Sequence, residues 1–356
     1  MKYEILQNES RQIADKKLYR ICALRDIPQR GVKAGDRGGW VAGEHNLSQD
    51  DDAWVADDAM IYGNAWVYGN AWVFGDACVY DNACVYDDAR VFGDACVYDN
   101  ACVYDDARVF GDAQVYGCAQ VSDHVYVIDY AHVFGNAWVF GDARVLGDAQ
   151  VYGNARVFGN AQVYGNAWVY GDACVYDDAQ VSGKACVYDD AQVSGKACVY
   201  DDAQVYGDAH VFDDAVVSSK ACVYGNAKVY DKVRVYGHAR VSGDALVTGR
   251  AEVYGNARVC GSAKVYGHAK VCGFAEVSGD AMVGNRVDVG GRMQVQHTQQ
   301  IMRAEEMTFD DWLAVLDNAA QCAEMPMDLG DAVLFDLYQA GYAPVPVLIM
   351  SKMDEI

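Results

Sequence analysis

The sequence predicts an all-β solenoid, a single-stranded parallel β-helix wound from one six-residue phrase. Three observations predict it. Starting at Val55 and stepping by six, Val or Ile recurs at every step to Val295, through Ile61, Val127, Val217 and Val289. A phase held that long without an inserted or skipped residue is a structural period. The phrase itself, typified by Gly63-Asn64-Ala65-Trp66-Val67-Tyr68, alternates small, variable, branched and aromatic side chains before a two-residue turn signal. Near-identical copies are 18 residues long: Asp81–Tyr98 and Asp99–Tyr116 differ at one position.

Each part of the phrase has a physical reading. Alternation with period 2 puts Ala and Val on one face of a short strand, and the variable and aromatic residues on the other. Gly-Asn, Gly-Asp and Asp-Asp supply corners because these residues tolerate left-handed backbone angles. A four-residue strand plus a two-residue corner is one side of a coil. Three sides close a triangle, which the 18-residue copies support. Residues 51–296 then form about 13–14 triangular coils, roughly 65 Å long at the usual strand spacing, around Val and Ala. Each coil buries itself only on its neighbours, so both ends need caps.

Residues 1–50 fall outside the period and read as the N-terminal cap. Leu18–Ile27 reads as a strand, and Trp40 is expected to lid the Val column. Val41 and Leu47 are in phase, but the step from Leu47 to Val55 is longer by two residues, so the first coil is irregular. Residues 297–356 leave the repeat. Thr308 reads as a helix cap, with Asp310 and Asp311 in the first turn. Phe309, Trp312, Leu313, Leu316, Ala320 and Ala323 share one helical face. A second helix is expected over about 328–339, ending at Gly341 with Pro344 beyond. This small helical module reads as a C-terminal cap or a docking module for a protein partner.

With these residues in view, the repeat resembles the hexapeptide repeats of left-handed parallel β-helix proteins, which place an aliphatic residue inward and a small residue two before it. Left-handedness is implied by that resemblance alone. The segment with Val32-Lys33-Ala34-Gly35, Gly38-Gly39-Trp40-Val41 and Asn46-Leu47-Ser48 resembles the start of YdcK-type hexapeptide proteins, a bacterial and prophage group often labelled transferases. The resemblance covers about residues 15–300 and speaks to fold far more than to chemistry.

Composition narrows the function classes. The formal net charge is −23, unevenly spread. Residues 50–215 carry −22 and residues 216–303 carry +6. The acidic stretch argues against nucleic acid as a partner, although it also fits an acidic mimic of nucleic acid. No apolar run is long enough for a membrane span. The start does not read as a signal peptide, so a cytoplasmic location is expected. Of the 13 cysteines, Cys78, Cys84, Cys96 and Cys102 occupy the outward variable slot. Stacked one coil apart, they sit slightly too far apart for a relaxed disulfide, and free thiols are expected. No metal-ligand spacing stands out, so no metal is expected.

Two sets of residues are candidate sites. Tyr62, Tyr80, Tyr98, Tyr116, Phe134, Tyr152, Tyr170, Tyr188, Tyr206 and Tyr224 are spaced by 18 and form an outward aromatic stripe, the candidate interface. Shorter rows, such as Phe74, Phe92 and Phe110, occupy the other sides. Aromatic residues also simply suit an outward strand slot. Lys232, Arg250, His268 and Arg286, again 18 apart, form a line of cations that could hold an anion or meet the acidic half of another copy. Aspartate ladders such as Asp58, Asp76, Asp94 and Asp112 could recruit calcium, but suit solvated corners equally well.

The family resemblance implies an acyl-CoA-dependent acyltransferase with a histidine general base, no other cofactor, a loop ejected from a coil that builds the acceptor pocket, and trimeric assembly. His268, beside Arg250 and Arg286, is the best-placed base. Yet no loop interrupts the period between Val55 and Val295, and smooth faces offer no concave site. The expected work is therefore non-covalent: a structural or interaction rod, self-associating or binding a partner through its aromatic stripe.

Overall fold

The computed structural model describes residues 1–284, 286–296 and, as backbone, 300–301. The chain forms two compact units, Met1–Gly207 and Asp208–Ile356. Both are parallel β-solenoid, about 14 turns in all. No α-helix occurs among the described residues. The helices expected after residue 297 lie outside them.

In the first unit the repeat begins with β4 (Trp54–Val55), β5 (Met60–Ile61) and β6 (Trp66–Val67). Each pairs in parallel with the strand 18 residues on: Trp54 with Trp72, Met60 with Cys78, and Trp66 with Cys84. Successive strands therefore visit three sheets in rotation. Every repeat valine, and the small residue two before it, is fully buried through this unit. Regular pairing spans mostly two residues rather than four, with four at Arg90–Gly93 and Arg108–Gly111. The aromatic residue's carbonyl already closes the turn, accepting the Ala N–H three residues later, as Ala71 N–H donates to Tyr68 O at 3.3 Å.

The turn-to-turn bonding is the same on every side. The variable residue donates its N–H to the next turn's Ala carbonyl (Trp66 to Ala83, 2.9 Å). The aromatic residue donates to the next Val carbonyl (Tyr68 to Val85, 3.1 Å). The second corner residue donates to the next corner carbonyl (Asn70 to Asp87, 2.8 Å). Inward backbone groups are thus satisfied without water, as burial requires.

Residues 1–50 build an antiparallel cap that grows into the solenoid. β1 (Tyr3–Ile13) pairs with β2 (Lys16–Ala23), and β2 pairs with β3 (Arg37–Val41). β3 then pairs in parallel with β5, Val41 opposite Ile61. Leu47 bridges Val67, whereas Val55 meets Val73. The first turn is therefore two residues longer than the rest, as the break in phase implies. The strand expected from Leu18 to Ile27 ends earlier, at Ala23, and a short 3-10 turn, Pro28–Arg30, follows.

Trp40 does not lid the column. Val41 is inward, so its neighbour must face out. The indole N–H of Trp40 donates to Asp58 at 3.2 Å, and the Arg20 guanidinium lies over its ring. The large aromatic that the cap buries is Trp54, 1% exposed, which stands in the outward slot before Val55 and packs near Ile21 and Gly38. A Cβ on Gly38 would come within 2.6 Å of both side chains. Lys2 is also buried, its ammonium donating to the Ala53 carbonyl at 2.6 Å and paired with Asp51 at 3.2 Å.

The second unit keeps the pattern from His210–Val211 to Gln300–Ile301. His210 pairs with Lys228, Val216 with Arg234, and Cys222 with Arg240. Its valines in the six-residue phase, from Val211 to Val295, are likewise inward and buried.

The inward alanines set how closely a turn can pack. Replacing Ala101, fully buried, by Leu is expected to cost about 1–3 kcal/mol through overpacking. Chemical denaturation of Ala101→Leu against the parent protein measures this.

Candidate functional site

The corners are built from residues in the left-handed region. Gly75, Gly93 and Gly135 have φ of 72° there, and Asp57, Asp81, Asp87, Asp99, Asp105, Asp123 and Asp129 occupy the same slot at φ between 54° and 64°. Asp does more in this slot than tolerate the angle. Its carboxylate accepts the corner N–H of the next turn, as Asp99 does from Gly117 at 3.1 Å and Asp123 from Gly141 at 2.8 Å. In the second unit Asp231 does the same for Gly249 at 2.8 Å. Sequence reasoning missed this role; the signal was that Asp and Gly exchange at this slot. Asparagines in the following slot form amide ladders, Asn64 to Asn82 to Asn100 at 3.0 and 3.2 Å. Among the described residues, no group of three or more His, Cys, Asp or Glu side chains is arranged to hold a metal ion.

The stripe from Tyr62 to Tyr206 is one continuous stack within the first unit. Successive rings of Tyr62, Tyr80, Tyr98, Tyr116, Phe134, Tyr152, Tyr170, Tyr188 and Tyr206 lie 4.7–4.9 Å apart and within 5° of parallel. Tyr224 belongs to the second unit, on the strand Cys222–Tyr224. All ten are half-buried. Ring faces are thus spent on each other, leaving edges and hydroxyls outward. Burial pushes the Tyr62, Tyr98 and Tyr188 hydroxyls up to about 12, so they remain neutral donors. Tyr98 donates to the Gln114 side chain at 3.2 Å. Phe74, Phe92 and Phe110 stack similarly on a second side, at 4.7 and 4.5 Å.

The cationic line lies in the second unit. Lys232 N–H donates to Gly249 O at 2.8 Å, and Arg250 N–H to Gly267 O at 2.6 Å, which sets Lys232, Arg250 and His268 one turn apart. Arg286 follows at the same spacing, and all four are exposed. The aspartate row is laddered in the same way in the first unit, Asp76 N–H donating to Gly93 O at 2.9 Å. His124 lies between Asp106 and Asp142, at 3.6 and 3.7 Å. His132 and His210 sit half-buried in outward strand slots, and burial lowers both their pKa values. Three surface depressions are shallow. One is lined by Tyr104, Gln120, Trp138 and Phe140, one by Tyr3, Tyr19 and Glu44 of the cap, and one by Tyr164, Cys198 and Tyr200. None of the three contains a histidine.

Parallel turns of constant length, with inward Val and Ala and laddered corners, define a hexad β-solenoid repeat protein. Four segments, residues 101–117, 149–165, 161–177 and 203–219, match the family model described as YdcK beta solenoid repeat. The chain is a YdcK-type repeat β-helix protein. No curated protein matches it.

At one acidic corner the charged form is disfavoured. Burial, with repulsion from Asp105 and Asp88, raises the Asp87 pKa. A raised folded-state carboxylate favours the protonated form, so this contribution to stability is present at low pH and is lost as pH rises through the carboxylate range. Asp88→Asn is expected to weaken that loss and to stabilise the protein by a few tenths of a kcal/mol, about the size of other exposed charge effects. Urea melts at pH 4 and pH 7 in low salt would show it, and added salt should shrink the difference.

Proposed function

We propose that this protein is a non-catalytic structural or interaction solenoid that associates with itself, or with a protein partner, through its outward aromatic rows. The observation that carries this reading is the unbroken turn length. Among the described residues after Val55, every corner is a two-residue turn and no loop leaves the solenoid to wall a pocket. A surface that repeats every turn offers many equivalent contacts and no unique reacting centre. Left-handed winding, three-sided turns and a trimer of parallel chains belong to the same proposal, as does a cytoplasmic location.

Two experiments test it. Deleting Asp99–Tyr116 removes one turn while every remaining residue keeps its face. The shortened protein is expected to fold and to associate as the parent does in sedimentation. Replacing Tyr98, Tyr116 and Phe134 together by Ser, a residue found in the outward slot at Ser182 and Ser194, is expected to weaken association about tenfold or more. A parent protein that is monomeric at every concentration and captures no partner through this stripe would refute the reading.

One observation favours a second reading, acyl-CoA-dependent acyl transfer with His268 as base. Lys232, Arg250, His268 and Arg286 are aligned and exposed. Such a line suits the phosphates of a CoA thioester. Calorimetric titration of acetyl-CoA at low salt should then show saturable micromolar binding that Arg250→Glu abolishes. No heat from the folded protein would leave transfer without its donor.

A further inference from the structure

The variable outward slot places thiols in register on two faces of the first unit. Cys96 pairs with Cys78 on one sheet, and Cys102 with Cys84 on another. All four are free and half-buried. Within each pair the side chains take the same direction. Cys78 and Cys96 Sγ both lie 3.7 Å from the carbonyl two residues back, at Asp76 and Asp94. Cys84 and Cys102 Sγ both lie 3.9 Å from theirs, at Asn82 and Asn100. The sulfurs therefore repeat as the backbone does, at a strand spacing of about 4.7–4.9 Å.

That spacing decides the chemistry. A disulfide needs sulfurs about 2.05 Å apart and Cβ atoms about 3.5–4.5 Å apart, so the strands would have to close. A metal–thiolate bond is about 2.3 Å long, so a linear sulfur–metal–sulfur unit spans about 4.6 Å. The strand ladder sets the backbones of the paired cysteines at about that span. Soft, two-coordinate ligation by sulfur selects cuprous ion over harder cations. The first pair has a further soft donor in line, because Met60 is the register partner of Cys78. The Tyr62 and Tyr80 rings stand beside this column.

We propose that Cys78 with Cys96, flanked by Met60, and Cys84 with Cys102 each bind one cuprous ion between two thiolates. Binding converts two thiols and one Cu⁺ into an anionic dithiolate and releases two protons, with no electron transferred. Within each pair the thiol–thiol contact favours loss of the first proton, from Cys84 and Cys96, and holds the second on Cys102 and Cys78, so the bound ion must displace that second proton.

The repeat supplies its own controls. Gln114 follows Cys96, and Gln120 follows Cys102, in the same slots one turn on. Cys96→Gln and Cys102→Gln therefore place a side chain that the fold already carries there. Cys186 sits between Trp168 and Gln204 and has no thiol register partner. The reduced full-length protein would be titrated without oxygen with cuprous ion, against a chromophoric cuprous chelator. The parent is expected to hold two more ions than Cys96→Gln/Cys102→Gln at the same chelator concentration. Each single variant should lose one ion, and Cys186→Gln none. X-ray absorption of the loaded parent should show two-coordinate sulfur ligation. Equal copper uptake by the parent and the double variant would overturn the proposal. So would nitrogen or oxygen ligation in the parent, whatever the variants do. Far-ultraviolet circular dichroism confirms that each variant is folded.

Discussion

The structure depends on one constraint: every turn must return each residue directly above its copy. Hydrogen bonds between turns hold the backbone at the strand spacing, and the inward positions then accept only what fits between two copies of itself. Val and Ala fit, and they are buried turn after turn. An inserted residue would turn every later inward side chain outward, because a strand alternates with period 2. The unbroken phase from Val55 to Val295 is the sequence's answer to that constraint.

The same constraint governs the surface. Whatever stands in an outward slot meets its neighbour one turn away at the same distance and angle. Tyrosines become parallel ring stacks, asparagines become amide ladders, and cysteines become thiol pairs. Aspartates would be costly in such an array, and at Asp87 the raised pKa records that cost. The array tolerates them because many of the left-handed Asp carboxylates also cap an N–H of the next turn, as Asp99 caps Gly117 and Asp123 caps Gly141. A partner to this surface therefore meets a periodic pattern, which suits repeated weak contacts better than one precise pocket.

Some features were legible and others were not, for identifiable reasons. The inward column was readable because Val or Ile recurs in phase, and burial leaves few alternatives at each position. The long first turn was readable from the step between Leu47 and Val55. Trp40 was misplaced because its size suggested a lid, while its phase next to Val41 already required it to face out. Trp54, the large aromatic that the cap does bury, carried no sequence signal of its own, since it stands in an ordinary outward slot. Its burial depends on Gly38 and Ile21, which the antiparallel cap brings over it. The aromatic stripe was readable as a line of residues, but not as a stack whose faces are consumed internally.

By itself the sequence determined the repeat length, the inward residues, the corner residues and the order of side chains along each outward row. These follow from local alternation and from turn chemistry, which need no knowledge of distant contacts. Only the tertiary structure decided how far the outward residues satisfy one another. Ring stacking, carboxylate caps and the shared direction of paired thiols all depend on side-chain orientation between residues 18 positions apart. No local rule fixes that orientation; the ladder between turns does.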